Sequence, residues 1–324
     1  MTVTRADLET FLASLSRDVA DPRQGLFGEA SATWLVNREA IVFLGGARAA
    51  LLQLAHPYVA QAIEDHSQTR AAPASRFLRT FERVFAMVFG DLDAALDASR
   101  RVHSLHTTIT GELPRATGRF ARGHRYQANE EEALLWVHAT LFDSSVQAFE
   151  LFVRPLTLEE KFRYYDESRR FTALFGIPRE ILPASFEEHR VRFDAMIASD
   201  TIVPSFEAKT IAHFLLAPPT PIVAPLTHWT RALTAGLMPP RLRVAFELPF
   251  GPVERAIFAA SIPAIRSLRA RAPASLTTLP AYREAMRRVR GEREVPIVDR
   301  ALIGLQHALE RHAASASRPR AVTG

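Results

Sequence analysis

From Ser31 to Arg290 apolar residues recur at helical spacing, while the period-two alternation of a half-buried strand is short wherever it occurs. No Asn-Gly hairpin signal and no internal repeat is present. That pattern restricts the chain to an all-α fold. A long and strongly apolar helical run is EEEALLWVHATLFDSSVQAFELF, residues 130–152, with Asn129 placed to cap it. Glu130, Glu131 and Glu132 fill the first turn, where carboxylates favour the positive end of the helix dipole.

The other elements read in order. DLETFLASL is an N-terminal helix, broken by Pro22, Gly25 and Gly28. A helix runs from Ser31 through TWLVNREAIVFL, with Gly45-Gly46 allowing close packing or a bend. ARAALLQLAHPYVAQAIEDHS follows, and Pro57 should perturb it near Ala55–His56, because the ring removes a donor and clashes one turn back. Ser75 is a candidate N-cap for a helix from Arg76, and Asp91 begins another that reaches Gly111. Residues 112–129 read as an irregular connection. Later helices cover Leu158–Phe175, the stretch after Ser185, short pieces between Pro204 and Pro252, then Gly251–Ala272, Leu276–Arg290 and Ile297–His312. The expected organisation is an N-terminal helix and linker (1–30), one all-helical domain (31–312) and a tail of disordered composition (313–324).

Composition narrows the chemistry. Cysteine is absent, which excludes disulfides, thiolate metal sites and cysteine nucleophiles, while eleven histidines remain as nitrogen donors. Hydrophobic residues at 48% and charged residues at 23% fit a soluble globular protein. The net charge of +5 is carried by arginines interleaved with acids, Lys161 and Lys209 being the only lysines. A nucleic-acid footprint is a patch or stripe, so no nucleic-acid partner is expected. The opening MTVTRADLET is polar, unlike a secretory signal, which makes the cytoplasm the expected location. The most apolar stretch, 40–63, is interrupted by Arg48, His56 and Pro57. A bilayer crossing needs about 20 apolar residues, so this reads as a buried helix rather than a membrane span.

Nucleotide fingerprints, P-loops, HExxH and GxSxG motifs are all missing. What remains is a set of histidines within apolar helices: His56, His103, His106, His138, His213 and His228. His103 and His106, three apart, share a helix face and offer a two-histidine metal grip. The ExxH element that a di-metal bundle also uses is not met by Glu131, Glu132 and His138. A single neutral histidine can instead hold a haem iron. Phe77, Phe81, Val84, Phe85 and Val88 would then line an apolar pocket or simply be core, and Arg76, Arg79 and Thr80 would form a polar face or a solvated one.

At these residues the chain resembles the DUF2236 family, the catalytic domain shared by rubber oxygenases (latex-clearing proteins) and MpaB-type oxygenases. The matching pieces are LLQLAHPYVAQAIEDHS (51–67), RFLRTFERVFAMVFG (76–90), VHSLHTTITG (102–111), YQANEEEALLWVHATLFDS (126–144) and LMPPRLRVAFELPFG (237–251). The resemblance implies a single multi-helix domain with a globin-like core around one haem b, dioxygen as co-substrate and a small lipophilic, isoprenoid-like alkene as substrate. It maps the proximal iron ligand onto His106, with His138 as rival, and an Arg-x-x-Lys-Thr element onto Arg76, Arg79 and Thr80. Arg79 stands where the family has lysine, and an arginine stays charged and ligates poorly, so the distal iron position should be open or hold water. His103 and Arg101 are further candidates for the haem site, since arginine forks match propionates. Trp136, His138 and Asp143 could form a network that orients the ligand. For the catalytic glutamate of rubber cleavage, Glu64, Asp65 and His56 are the nearby candidates.

Overall fold

The computed structural model describes residues 1–66, 82–217 and 224–292. The Ser75 cap, the start of the Arg76 helix and the Ile297–His312 helix lie outside the described residues. Within them the fold is helical apart from one small hairpin.

Local signals start most helices. Thr4 and Asp7 form a capping box for α1 (Arg5–Arg17). Ser31 caps α2 (Ala32–Asn37), and the Glu167 carboxylate accepts from Ala32 N–H and Thr33 N–H at 3.1 and 2.7 Å. The expected continuous helix from Ser31 stops here. Glu39 pairs with Thr278 in an isolated β-bridge, Leu279 N–H donates to Arg38 O at 2.8 Å, and Arg269 grips the buried Glu39 carboxylate. Those long-range bonds hold Arg38–Glu39 out of the helix.

A tight helical turn (Ala40–Gly45) then leads into α3 (Gly46–Leu54) and α4 (Pro57–His66). A Cβ on Gly45 would lie 2.9 Å from Ser144 O, so this glycine permits the turn to lie close against α6 (Glu131–Phe152). The chain bends by 98° between Ala40–Leu54 and Pro57–His66, at the break that Pro57 dictates. Among the described residues no single helix is long and apolar enough to cross a membrane; only that bent pair passes the test together.

Residues 82–89 are helical and end at Gly90. Asp91 then caps α5 (Leu92–Thr107), accepting from Ala94 N–H at 2.8 Å. α5 ends short of Gly111, because Gly111 belongs to β1 (Thr110–Glu112), paired antiparallel with β2 (Arg125–Gln127). The segment expected to be irregular is therefore a hairpin. Gly111 faces Tyr126, whose hydroxyl would sit 2.6 Å from a Cβ there.

α6 begins at a Glu130 cap that makes no side-chain bond. Asn129, the expected cap, instead donates to His103 O at 3.2 Å and ties α5 to the entrance of α6. α7 (Leu158–Ala173) carries a Thr157–Glu160 capping box and stops before Gly176, whose φ of 72° is left-handed. Then follow α8 (Phe186–Ala198), capped by Ser185, α9 (Phe206–Leu215), α10 (Ala224–Leu237), α11 (Pro240–Ala245) and α12 (Pro252–Arg271). The expected Leu276–Arg290 helix is two, α13 (Ala274–Thr277) and α14 (Pro280–Arg290), divided at Pro280.

Among the described residues, four apolar clusters meet along α6, the two largest around Trp136 and around Phe142, Phe149 and Phe152. Trp136 packs with Leu51, Leu52, Phe193 and Ile202, and Phe142, Phe149 and Phe152 pack with Val36, Tyr164 and Leu233. This all-round burial is what a helix so uniformly apolar requires.

Candidate functional site

α5 presents its two histidines to different environments. His103 is buried, and its Nε2 lies 3.1 Å from Val3 O, which makes it the donor that pins the N-terminal residues to the helix. His106 has a buried Nδ1 with no hydrogen-bond partner among the described residues. Burial pushes its pKa down to about 4; the Asn129 side chain opposes this, while the charges of His103 and Arg83 add to it. His106 is thus a neutral imidazole at neutral pH, with a ring nitrogen left over. Among the described residues, Arg83 on helix 82–89 is the arginine whose charge reaches His106.

The proposed apolar lining divides. Val84, Phe85 and Val88 pack with Trp34, Phe43 and Phe89, and Trp34 Nε1 donates to Val88 O at 2.8 Å. They are core. Phe77 and Phe81, like Arg76, Arg79 and Thr80, lie outside the described residues. Arg101 stands on the exposed side of α5, its side chain 75% accessible and 3.6 Å from Asp97.

His56 sits at the bend before α4. Tyr58 N–H approaches its Nδ1 at 3.3 Å, its Nε2 is unpartnered among the described residues, and burial, then Arg119, lowers its pKa to about 3. The ring lies 5.0 Å from Tyr58 and 5.7 Å from Phe120, within an aromatic cluster between α4 and the hairpin. Along α4, Asp65 accepts from Gln61 Nε2 at 2.8 Å and from the Tyr126 hydroxyl at 2.6 Å. His66 Nε2 approaches Thr110 O at 2.8 Å.

His138 faces the other way. It is buried in α6, with Nε2 unpartnered among the described residues and its pKa brought to about 3 by burial, then by His189. The network expected around it is not assembled. Trp136 Nε1 donates to Leu52 O at 2.8 Å, and Asp143 pairs with Arg48 at 2.6 Å, so each partner is engaged elsewhere. The neighbour that replaces them is His189 on α8, which the sequence reading missed. It is buried, its Nε2 is also unpartnered among the described residues, and burial takes its pKa to about 4 against the opposing charge of Asp143. Phe142, Tyr165 and Phe193 surround it at 5.1, 5.0 and 6.1 Å. Its place with Phe186 and Phe193 on one helical face was the available signal. His213 and His228 are exposed.

Among the described residues, no group of three or more His, Asp or Glu side chains is placed to hold a metal ion. A two-histidine grip by His103 and His106 also conflicts with the bond from His103 to Val3. A group held through one imidazole does fit. His106 offers a neutral ring whose Nδ1 is without a partner among the described residues, and either imidazole nitrogen can ligate a metal.

Neither curated proteins nor solved structures provide a match to the chain. The family described as ER-bound oxygenase mpaB/B'/rubber oxygenase, catalytic domain, matches residues 33–267, a stretch holding His56, His106, His138 and His189. With well over half of its length matched, the chain belongs to this family of oxygenase catalytic domains.

Proposed function

We propose that the protein is a haem b-dependent oxygenase that uses dioxygen to oxidise a small lipophilic, isoprenoid-like alkene, with its helices forming a globin-like core around the haem and His106 as the protein ligand of the iron. The observation that supports this most is the buried Nδ1 of His106, on a neutral ring and without a hydrogen-bond partner among the described residues, in a chain of an oxygenase family. Bound haem would supply the oxygen chemistry, and the protein the orientation and choice of substrate.

The chain's own residues have separable tasks. A ligating histidine must be unprotonated, and burial keeps His106 so at neutral pH. His103, bonded to Val3 O, and Asn129, bonded to His103 O, fix the turn of α5 from which His106 projects. Arg76, Arg79 and Thr80 are assigned the polar wall on sequence, and Arg79, permanently charged, does not close the iron as a lysine can. Arg101, exposed on α5, would exchange Asp97 for a propionate. Asp65, held by Tyr126 and Gln61, is the proposed proton acceptor.

His138 provides the second ligand reading, because it too is buried, neutral and unpartnered among the described residues. Visible spectra decide between them. Protein expressed with haem supplied should show a Soret band that His106→Ala abolishes and that His103→Ala and His138→Ala retain. A colourless wild type sinks the proposal, and loss of the band in His138→Ala alone transfers ligation to that residue. Oxygen uptake in the presence of an isoprenoid alkene separates turnover from mere haem or lipophile binding.

A further inference from the structure

A cleft of about 140 Å³ opens between α9, α10 and the residues that follow α11. Its floor is apolar: Leu216 and Phe246 are buried, and Leu248 packs against the same core cluster. Its rim is charged, with Lys209, Arg231 and Glu247. Of the histidines described above, the exposed His213 also lines it, whereas His56, His106, His138 and His189 do not.

The rim charges are not equivalent. Lys209 Nζ and the Glu247 carboxylate lie 2.6 Å apart and neutralise each other. Arg231 is half-buried and makes no hydrogen bond or ion pair with any described residue. The cleft therefore carries one uncompensated guanidinium above an apolar floor. Arg231 has no nitrogen among the buried unpartnered atoms, so its guanidinium is open to solvent and to an anion entering above the apolar floor.

Glu247 supplies an independent observation. It is the one non-glycine with positive φ among the described residues, at 57°, where it closes α11 while Leu248 N–H returns to Arg243 O at 3.0 Å. That left-handed helix-closing position ordinarily takes Gly or Asn. Strain of this kind recurs at ligand clamps, and here the strained residue anchors the Lys209 side of the rim.

We propose that this cleft binds the carboxylate end of a lipophilic acid. The planar fork of Arg231 would take both carboxylate oxygens, and Leu216, Phe246 and Leu248 would cover the first carbons of the chain. A single free positive charge matches a monoanion and leaves a dianion short of one partner. Pockets that enclose a whole drug-sized ligand run to about 300–1,000 Å³, so this one holds the acid's head and leaves the tail to emerge through the open side.

Calorimetric titration of the full chain with octanoate, octan-1-ol and acetate tests the proposal. Octanoate should bind and weaken as salt is raised, while the alcohol, lacking charge, and acetate, lacking a tail, should not bind. Arg231→Gln should weaken octanoate by roughly 10- to 100-fold, the loss expected for a charge-assisted hydrogen bond, and Arg231→Lys should retain part of the affinity. Octanol binding as tightly as octanoate, or equal octanoate affinity in wild type and Arg231→Gln, overturns it. If Arg231→Gln does not fold, a salt-independent octanoate affinity in wild type overturns it equally.

Discussion

The Tyr126 hydroxyl donates to the Asp65 carboxylate across 2.6 Å, fastening β2 to the last turn of α4. The other Asp65 oxygen is satisfied within its own helix by Gln61, so the phenol is the tie that crosses between these elements. Tyr126→Phe should cost about 1.5–3 kcal/mol in urea unfolding, the range for a hydrogen bond to a charged group. The phenol's own ionisation is pushed above its ordinary range by burial, then by Asp65, so it should be absent from the alkaline absorbance step. A variant as stable as wild type would show that the aromatic cluster and the His66–Thr110 contact hold the hairpin without the phenol.

Stability should fall with acid. His56, His138 and His189 have folded pKa values of about 3, 3 and 4, each lowered first by burial. The unfolded chain, with histidines near their ordinary pKa of about 6.5, binds more protons below that value. Their contribution is therefore intact above about pH 6.5 and is lost as pH falls toward the folded values, by on the order of 2 kcal/mol per histidine at about pH 5. Denaturant midpoints measured across that range should decline, and His138→Leu should flatten the decline. An unchanged slope in that variant would mean that the ring is charged in the folded state.

Gly25 cannot carry a side chain. Its φ is 66°, and a Cβ would lie 2.1 Å from Gly90 O. Gly25→Ala combines left-handed strain with a clash against backbone and should destabilise by at least about 2 kcal/mol. Thermal unfolding provides the measurement; a shift within error would show that the loop relocates freely.

Arg48 is 4% exposed and is spread over three partners: Asp143 at 2.6 Å, Ser144 Oγ at 2.7 Å and Leu237 O at 2.9 Å. Asp143→Ala leaves that guanidinium without its counter-charge and should cost about 3 kcal/mol, the low end for breaking a buried pair because Asp143 is 28% exposed. Adding Arg48→Met should cost less than the sum of the single changes. Strict additivity in the double-mutant cycle would deny the coupling.

Residues whose structure is decided by near neighbours were readable from sequence: the helix starts at Ser31, Asp91 and Ser185, the bend at Pro57, the stop at Gly176. Residues decided by distant partners were not. Arg38–Glu39 leaves its helix for Thr278 and Leu279, and Asn129 gives up its cap for His103 O. The hairpin escaped notice because three-residue strands are too short to show alternation. The same division runs through the candidate site. Periodicity places Val84, Phe85 and Val88 on a buried face but does not say that Trp34 and Phe89, rather than a ligand, lie opposite. Nor does the spacing of His103 and His106 reveal that Val3 takes the first and leaves the second.

α14 lies wholly beyond the interval shared with the family, yet Arg288 reaches from it to Phe89 O and to Arg23 O, and Tyr282 packs its edge against Trp34. At the opposite end, Val3 and Thr2 join His103 and Glu130. A polypeptide trimmed to residues 33–267 would expose the indole of Trp34 and strip the guanidinium from the carboxyl end of helix 82–89. The heritable signature of the oxygenase and the piece of chain able to fold around it are therefore different lengths, and the second is the longer.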